Sequence, residues 1–379
     1  MLVLGLMSGT SADGVDAVLA QFKGCLKKPL WKLLNFHSID YPEYLRKKIL
    51  AVSQGLKLNS SDWLELSESI TYLNAKAASE CDPLGQAELI GCHGQTIWHR
   101  PPTNQRLGAS LQLLQAPLLA HLMNKPVVYD FRAADLALNG EGAPLVPLAD
   151  EALIGRSQGW RAILNLGGIS NLTMIPPSMG PDASAEVFGW DCGPANTLID
   201  LAIHKFSKGK LFFDENGLIA KSGQPDEKII KKWLKEPFFN LNPPKSTGRD
   251  KYGLTDLKQR YFDMKALSSE SQISTLTSFT AAIVSQDLLN LYNQKLIKPI
   301  ELFLAGGGSN NPAIFEELVA RCQGIRVSKV DEFGIHPLAR EALAFALHAW
   351  WHVKKYPGNS PLVTGATRSA VLGVKVEPS

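Results

Sequence analysis

The segment MLVLGLMSGTSADGVDAVLAQF, at the start of the chain, constrains the fold more than any other. An apolar run over residues 1–7 stops at small and polar residues 8–14, and an alternating run resumes at Val15. This pattern predicts a strand, a tight turn and a second strand. Gly9 and Gly14 permit positive φ and allow a ligand to come close to the backbone. The segment is therefore predicted to be a β-hairpin, either an ordinary one or one whose turn binds a ligand.

The turn of this hairpin carries groups that suit an anion with a cation beside it. Ser8, Thr10 and Ser11 add hydroxyls, and the N–H groups of such a turn can form an anion-binding nest. Asp13 and Asp16 place carboxylates beside it. Because a carboxylate repels phosphate unless a cation lies between them, the combination indicates a nucleotide with Mg²⁺ near Asp13 or Asp16.

The hairpin pattern recurs once, in RAILNLGGISNLTMIP at residues 161–176. Two such hairpins about half a chain apart indicate a duplicated domain. A third glycine cluster, residues 306–308, follows an apolar run in ELFLAGGGSNNPAIFEELV. Asn310 or Asn311 is predicted to cap a helix there, with Pro312 in its first turn. The chain has neither a Walker A nor a GxGxxG pattern, so P-loop and dinucleotide folds are not indicated.

Composition limits the class of protein. The 379 residues are 45% hydrophobic and 20% charged, which is typical of a globular protein with two domains. A net charge of +3 is too small to indicate binding to nucleic acid or to a membrane. The apolar start lacks the basic region of a signal peptide, and no apolar run is long enough to span a bilayer. Five scattered cysteines without metal-site spacing indicate neither a disulfide framework nor zinc, so we expect a reducing, cytoplasmic setting.

The remaining patterns predict alternating strands and helices. Residues 41–79 are predicted to be mostly helical. Residues 88–92 are predicted to form a buried strand, which is followed by a loop with the sequence HGQTIWHRPP. Residues 336–354 read as an amphipathic helix. A Gly/Pro-rich break at residues 139–147 is a candidate hinge. We therefore predict an α/β fold of two lobes with mixed sheets. The N-terminal lobe would span residues 1–138, joined by part of the C-terminal tail, and the C-terminal lobe would span residues 139–379.

Asp191 is the acid most suited to catalysis. It follows an apolar strand and begins a turn that leads into a helix, in the segment WDCGPANTLID. A general base needs a position that is reachable yet partly screened from water. The alternative is a helix N-cap, for which Asp is a favoured residue.

Two further strand ends carry polar side chains. His93, Gln95 and Thr96 follow the strand at Cys92, and Arg132 follows the strand at Tyr129. Strand ends are common ligand positions in α/β proteins. His93 has a structural hydrogen bond as its alternative, and Arg132 has a pair with Asp130 or Asp135.

Residues of the last helix and of the second hairpin leave the same choice open. Glu341 is locally typical of a solvated helix glutamate. Ser170 and Asn171 are interpreted either as phosphate contacts or as caps of their own turn.

Taken together, these segments resemble the anhydro-N-acetylmuramic acid kinases, bacterial enzymes of the actin-like ATPase and sugar-kinase superfamily. The resemblance covers residues 5 to about 350, and one departure is Cys192, where a small residue such as Thr is expected. The matching segments are GLMSGTSADGVDAVL, GCHGQTIWHRP, DFRAADLALNGEGAPLVP, ILNLGGISNLT, WDCGPANTLID, STGRDKYG, LAGGGSNNP and REALAFALHAW. The resemblance implies a two-lobed actin-like ATPase fold with an interlobe cleft.

The resemblance also implies a reaction and the residues that perform it. Water would open the ring of 1,6-anhydro-N-acetylmuramic acid while O6 takes the γ-phosphoryl group of ATP, in peptidoglycan recycling. By similarity Asp191 would be the base and Glu341 would orient the water, and His93, Gln95, Thr96 and Arg132 would hold the sugar. The nucleotide, with Mg²⁺, would be held by the two hairpin turns and the glycine cluster: Gly9, Thr10, Ser11, Ala12, Asp13, Gly14, Val15, Asp16, Gly167, Gly168, Ser170, Asn171, Gly306, Gly307 and Gly308. A homodimer is expected from the family alone.

Two alternatives share this superfamily. The chain is then either an ordinary sugar hydroxyl kinase or a binding protein that ATP switches, since fold does not decide function.

Overall fold

A computed structural model describes the chain at residues 1–103, 105–243, 245–248 and 251–379. It divides into two compact units, unit 1 with residues 1–155 and 334–379, and unit 2 with residues 156–333. Each unit has its own sheet, helices and apolar core. The predicted α/β class with two mixed sheets is confirmed.

The strands are β1 (Leu2–Ser8), β2 (Gly14–Gly24), β3 (Pro29–Asp40), β4 (Leu89–Arg100), β5 (Ala109–Leu113), β6 (Val127–Tyr129), β7 (Trp160–Leu166), β8 (Ile169–Ile175), β9 (Phe188–Pro194), β10 (Pro299–Ala305), β11 (Arg326–Lys329) and β12 (Val374–Val376). The α-helices are α1 (Glu43–Ser53), α2 (Ser60–Cys81), α3 (Ala116–Met123), α4 (Ala133–Ala137), α5 (Val146–Ile154), α6 (Asn196–Phe206), α7 (Leu218–Ser222), α8 (Glu227–Trp233), α9 (Leu254–Asp263), α10 (Ser269–Lys295), α11 (Pro312–Arg321), α12 (Ala339–Val353) and α13 (Pro361–Thr364).

The two sheets repeat one topology. In unit 1 the strand order is β12-β6-β4-β1-β2-β3, with β5 on β4, and in unit 2 it is β11-β10-β7-β8-β9. In each sheet the first strand pairs antiparallel with the second and parallel with the next strand inward, β4 or β10. The third strand then pairs antiparallel with the second. The duplicated domain inferred from the two hairpins is confirmed.

Helix α12 lies at backbone contact with β1 and β4 because of two strand glycines. A Cβ on Gly5 would lie 2.0 Å from the Ala342 carbonyl oxygen, and a Cβ on Gly91 would lie 2.3 Å from that of Phe345. Gly within a strand marks this kind of close approach. The contact fixes α12, and with it Glu341, against the centre of the sheet.

The units divide at residues 155/156 and 333/334, rather than at the 138/139 boundary expected from the sequence. Residues 139–155 join unit 1 because α5 is bonded to α12: Arg340 Nε donates to Asp150 Oδ1 at 2.9 Å, and both side chains are buried. The break expected to act as a hinge is also held inside unit 1. The buried Asp135 carboxylate accepts from Gly142 N at 2.8 Å and from Thr364 Oγ1 at 2.6 Å.

Local signals place most elements correctly. Asn311 caps α11 through Ala313 N, with Pro312 at its first position. The helical region after Tyr41 forms as α1 and α2. Two bounds differ: α12 begins at Ala339 rather than at residue 336, and β4 continues to Arg100 where a loop was expected. Pairing of Gln95 to Arg100 with β5 extends that strand.

None of the helices in the described part of the chain is long and apolar enough to cross a lipid bilayer.

Candidate active site

The first hairpin turn, residues 9–13 in unit 1, is long and carries its polar groups at the surface. Gly9 O accepts from Ala12 N at 3.1 Å, and Ala12 has a φ of 53° with its side chain buried. Thr10 and Asp13 are exposed, and the Asp13 carboxylate accepts from Arg46 Nη2 at 2.7 Å. The turn thus presents backbone and hydroxyl groups outward, while Asp13 is already paired.

Asp16 is the more buried carboxylate of this hairpin. Its Oδ1 accepts from Ser38 Oγ at 2.7 Å, across the β2–β3 pair. Burial raises the pKa of Asp16 to about 6, and the charges of Glu341, Asp13 and Asp40 add to the rise although the Ser38 bond lowers it. Its neighbours in the chain contribute backbone alone: Gly14 has no side chain, and the Val15 side chain is fully buried.

Gln95, in the middle of β4, connects that strand to this turn. Its Nε2 donates to Gly9 O at 3.0 Å and to Thr96 O at 3.1 Å. Because carbonyl oxygens only accept, these two bonds fix the orientation of the amide. Gln95 Oε1 is buried and has no hydrogen-bond partner among the described residues. Thr96, the next residue of the strand, has an Oγ1 that accepts from Gln112 Nε2 at 3.3 Å.

His93 and Arg132 form a bonded pair. His93 Nδ1 lies 2.8 Å from Gly94 O, so Nδ1 carries the proton, and Nε2 accepts from Arg132 Nε at 3.1 Å. Burial and the Arg132 charge lower the pKa of His93 to about 3, which keeps the imidazole neutral. Arg132 Nη1 donates to Gly142 O at 2.7 Å. Among the described residues the hydrogen bonds of Arg132 therefore run to His93 and Gly142, and the alternative, a pair with Asp130 or Asp135, does not form.

Glu341 lies in the first turn of α12 and is partly buried. Burial raises the pKa of its carboxyl, partly offset by the charges of Arg340 and Arg132. The solvated helix glutamate is therefore excluded. Glu341 acts electrostatically on both Asp16 and Arg132, so unit 1 brings the hairpin turn, the β4 edge and the start of α12 into one polar region.

The second hairpin turn, Gly167 and Gly168 in unit 2, is short and packs on the start of α6. Gly168 O accepts from Ala195 N at 3.0 Å and Gly167 O accepts from Asn196 N at 3.1 Å. Ser170 is buried, and its hydroxyl donates to Gly193 O at 3.0 Å. The Ser170 side chain therefore holds its own turn, which is the second of its two interpretations. Asn171 stays partly exposed.

The glycine cluster packs against this second turn. Gly306 has a φ of 77°, and a Cβ there would lie 2.8 Å from Asn165 Oδ1. A Cβ on Gly308 would lie 2.7 Å from Asn196 Oδ1. Nothing lies within 4 Å of a Cβ on Gly307. Two of the glycines are therefore required by the fold of unit 2, and Gly307 is not.

Asp191 lies within β9 rather than in the turn after it. Its Oδ2 accepts from Ser246 Oγ at 2.9 Å and from Thr247 N at 3.0 Å, and its own N–H donates to Lys245 O at 3.0 Å. Burial raises the pKa of Asp191, while these two donors lower it. Helix α6 begins at Asn196 with Ala195 before it, so the N-cap alternative is excluded.

Sequence reasoning missed the partners of Asp191. Lys245, Ser246 and Thr247 overlap the segment STGRDKYG, but nothing local links that segment to a residue about fifty positions earlier. Arg249 and Asp250 of the same segment lie outside the described residues.

The residues described here contain no group of three or more His, Cys, Asp or Glu side chains arranged to hold a metal ion. Mg²⁺ commonly binds through one or two carboxylates together with substrate phosphates and water. Asp16 is partly buried and accepts a hydrogen bond from Ser38, whereas Asp13 is exposed and pairs with Arg46, so Asp16 is the carboxylate that better suits this mode of binding.

Comparison with known proteins now identifies the family. A family model described as anhydro-N-acetylmuramic acid kinase matches residues 1–378. The chain belongs to the anhydro-N-acetylmuramic acid kinase family. This family consists of phosphotransferases, and the resemblance drawn from the sequence segments is confirmed over the whole chain.

Relatives in this family align from end to end. A protein of Prochlorococcus marinus (strain MIT 9313) named anhydro-N-acetylmuramic acid kinase is 61% identical over 379 residues, covering 100% of both chains. A protein of the same name from Synechococcus sp. (strain CC9902) is 58% identical over 379 residues, again covering 100% of both. Among solved structures, the activator of the 2-hydroxyisocaproyl-CoA dehydratase from Clostridium difficile has a TM-score of 0.44 at 12% identity, over 93% of this chain and 96% of that chain.

Proposed function

We propose that the chain opens the 1,6-anhydro ring of 1,6-anhydro-N-acetylmuramic acid with water and transfers the γ-phosphoryl group of ATP to O6. The products are N-acetylmuramate 6-phosphate and ADP. The full-length match to the kinase family carries this proposal. The amino sugar derives from peptidoglycan, so the reaction belongs to cell-wall recycling. We further propose that the enzyme works in the cytoplasm, where ATP is available, and as a homodimer.

Asp191 is the proposed general base. Both of its hydrogen bonds from the 245–247 segment fall on Oδ2, so we assign Oδ1 the proton that the attacking water loses. A partly buried carboxylate with a raised pKa is a stronger base than an exposed one and can remove that proton as water attacks C1. Glu341 is a second proposed catalytic residue, on the resemblance to the family alone.

The sugar is assigned to the β4 edge and to Arg132. The Arg132 guanidinium has five N–H donors, of which one binds His93 and one binds Gly142. We assign the others to the lactyl carboxylate of the substrate, because a guanidinium binds carboxylates in a bidentate manner. Neutral His93 then serves to orient Arg132, and Gln95 Oε1 and Thr96 offer oxygens to the sugar hydroxyls.

The nucleotide phosphates are assigned to the glycine backbones. Three glycines have no conformational need to be glycine: Gly9, Gly167 and Gly307 lack a positive φ, and a Cβ on them would meet nothing closer than 3.6 Å. Bare backbone at such positions suits close approach of phosphate. Asp16 is proposed to hold Mg²⁺, which when bound neutralises charge on the transferring phosphates.

A sugar-dependent ADP-release assay tests the function. We expect ADP to form with 1,6-anhydro-N-acetylmuramic acid and Mg²⁺ATP, and at most a trace without the sugar. Turnover with N-acetylmuramic acid but not with its anhydro form would point instead to an ordinary hydroxyl kinase. Slow ADP release that the sugar does not change would point to an ATP-switched binding protein.

A further inference from the structure

A buried ion pair lies behind Asp191 in unit 2. Lys245 Nζ is 2.7 Å from Asp287 Oδ1, and the two side chains are only 2% and 3% exposed. Trp190 Nε1 donates to the second oxygen, Asp287 Oδ2, at 2.7 Å. The Lys245 ammonium also lies 5.0 Å from the centre of the Phe238 ring. Asp287, in α10, is thus bonded at once to strand β9 and to the segment that begins at Lys245.

Both the strand and the segment that Asp287 contacts lead to Asp191, because β9 carries this residue and the segment after Lys245 binds its side chain. Successive residues of a strand face opposite sides, so Trp190 and Cys192 point into the core while Asp191 points away from it. On the other segment, Lys245 O accepts from Asp191 N, and the next two residues, Ser246 and Thr247, donate to Asp191 Oδ2. One buried carboxylate therefore fixes the strand that carries Asp191 and the segment that binds its side chain.

A buried ion pair of this kind is weak evidence for a role in stability. Removing two charges from water has a cost that their attraction often does not recover, and apolar replacements of such pairs are often neutral or stabilising. We infer that Lys245 and Asp287 are positioning residues, which hold Ser246 and Thr247 against the Asp191 carboxylate. The inference rests on the proposed function only in giving Asp191 a catalytic role, since the positioning itself can be measured without substrate.

The inference makes a signed prediction for the pKa of Asp191. Hydrogen bonds to a carboxylate favour its charged form. Loss of the Ser246 and Thr247 donors therefore raises the pKa of Asp191. The other groups beside it are the Cys192 thiol on the same strand, and the Lys245 and Asp287 charges on the far face of β9.

The test is a ¹³C NMR titration of aspartate-labelled protein without ligands. The Asp191 carboxyl signal is identified by its absence in Asp191→Asn. We expect Lys245→Met to raise the pKa of Asp191 by about one pH unit. Ser246→Ala, at an exposed position, should raise it by a smaller amount. Lys251→Met is the matched control: Lys251 lies 4.3 Å from the same Phe238 ring but is exposed, and its variant should titrate as the wild type does.

A double variant removes the danger that an unpaired buried charge unfolds the protein. Lys245→Met with Asp287→Asn eliminates both charges and keeps an amide oxygen for Trp190 Nε1. We expect it to fold and to show the same rise in the Asp191 pKa above the wild-type value as Lys245→Met. The acidic limb of kcat should shift to higher pH by a matching amount. An unchanged pKa in the folded double variant would overturn the inference. So would a double variant that does not fold, because the pair would then serve the fold itself.

The outcome is separate from that of the proposed function. If Asp191→Asn retained turnover, the catalytic role would fail while the titration still tested the positioning.

Discussion

The two hairpin turns occupy the same place in two sheets of the same topology, yet they are built differently. In unit 1, five residues separate β1 from β2, and the turn exposes hydroxyls and a carboxylate. In unit 2, two glycines separate β7 from β8, and the turn is fastened to α6 and to the glycine cluster. The two units share a strand order but not a turn chemistry, because the first turn offers side chains as well as backbone and the second offers backbone.

The strand pairs after the turns differ in the same way. Asp16, the third residue of β2, pairs with Ser38, whereas Asn171, the third residue of β8, pairs with Asp191. Each pair holds one partly buried carboxylate with a raised pKa, on the second strand in unit 1 and on the third strand in unit 2. We propose that the first carboxylate holds the cation and that the second takes up the proton.

The largest effect is expected from Asp191→Asn. Loss of a general base lowers kcat by about 10²–10⁴-fold, and ATP affinity should stay nearly unchanged because the nucleotide is assigned to backbone turns. Steady-state kinetics and calorimetry measure the two quantities. Asp226→Asn is the matched control in unit 2, since Asp226 caps α8 and Asn caps helices equally well. Turnover of Asp191→Asn within a few-fold of wild type would remove the base assignment.

The glycine variants test whether bare backbone binds the nucleotide. Gly307→Val and Gly9→Val have room for a side chain in the free protein, so both should fold. Each should weaken ATP binding by about tenfold or more and leave sugar binding close to that of wild type. Calorimetry with each ligand separately gives both affinities.

Gly306→Val provides the contrast. Its positive φ and its contact with Asn165 should destabilise unit 2 as a whole. An equal loss of sugar and ATP affinity in Gly307→Val would show that this position, too, serves only the fold.

Asp16→Asn tests how much the charged, partly buried Asp16 carboxylate destabilises the folded protein. The folded state raises its pKa from 3.8 to about 6, so it favours the protonated form. The stability that this adds is present below pH 3.8 and is lost as the pH rises through 6. The uncharged Asn should therefore stabilise the protein at pH 8 by on the order of 1 kcal/mol, with a smaller gain at pH 5. Urea unfolding at both pH values measures it, and an equal gain at both would contradict the assigned pKa.

Gln95→Leu should have the smallest effect. It removes the bonds to Gly9 O and to Thr96 O, of which only the first reaches the turn and contributes about 1 kcal/mol there, so KM for ATP should rise a few-fold although Gln95 is assigned to the sugar. Gln112→Leu, which removes a bond to Thr96 and none to the turn, is the control. An unchanged KM for ATP in Gln95→Leu would show that the bond from Gln95 to Gly9 O does not contribute to nucleotide binding.

Local patterns predicted the elements whose signals are local. The hairpins, the Asn311 cap and the helices of residues 41–79 follow from periodicity and capping. The continuation of β4 does not, because β5 supplies its hydrogen bonds from elsewhere in the chain. A glycine inside a strand, such as Gly5 or Gly91, indicates that something packs closely there. The sequence does not show what packs there, because α12 lies hundreds of residues away along the chain.

The candidate site shows the same limit. Asp191 was found from its place after an apolar strand, yet its N-cap alternative was excluded only by the start of α6 at Asn196 and by the pairing of β9 with β8. Its donors Ser246 and Thr247, and the Lys245–Asp287 pair behind them, are long-range contacts that no spacing rule in one sequence reveals.

The most direct test of the proposed reaction is the fate of solvent oxygen. A short reaction in ¹⁸O-water is quenched before the anomeric centre exchanges, and the product is fragmented in a mass spectrometer. If water attacks C1 while O6 takes the phosphoryl group, the label appears in the anomeric hydroxyl and is absent from the phosphate. A product without label at C1, or with label in phosphate, would contradict coupled ring opening and phosphorylation.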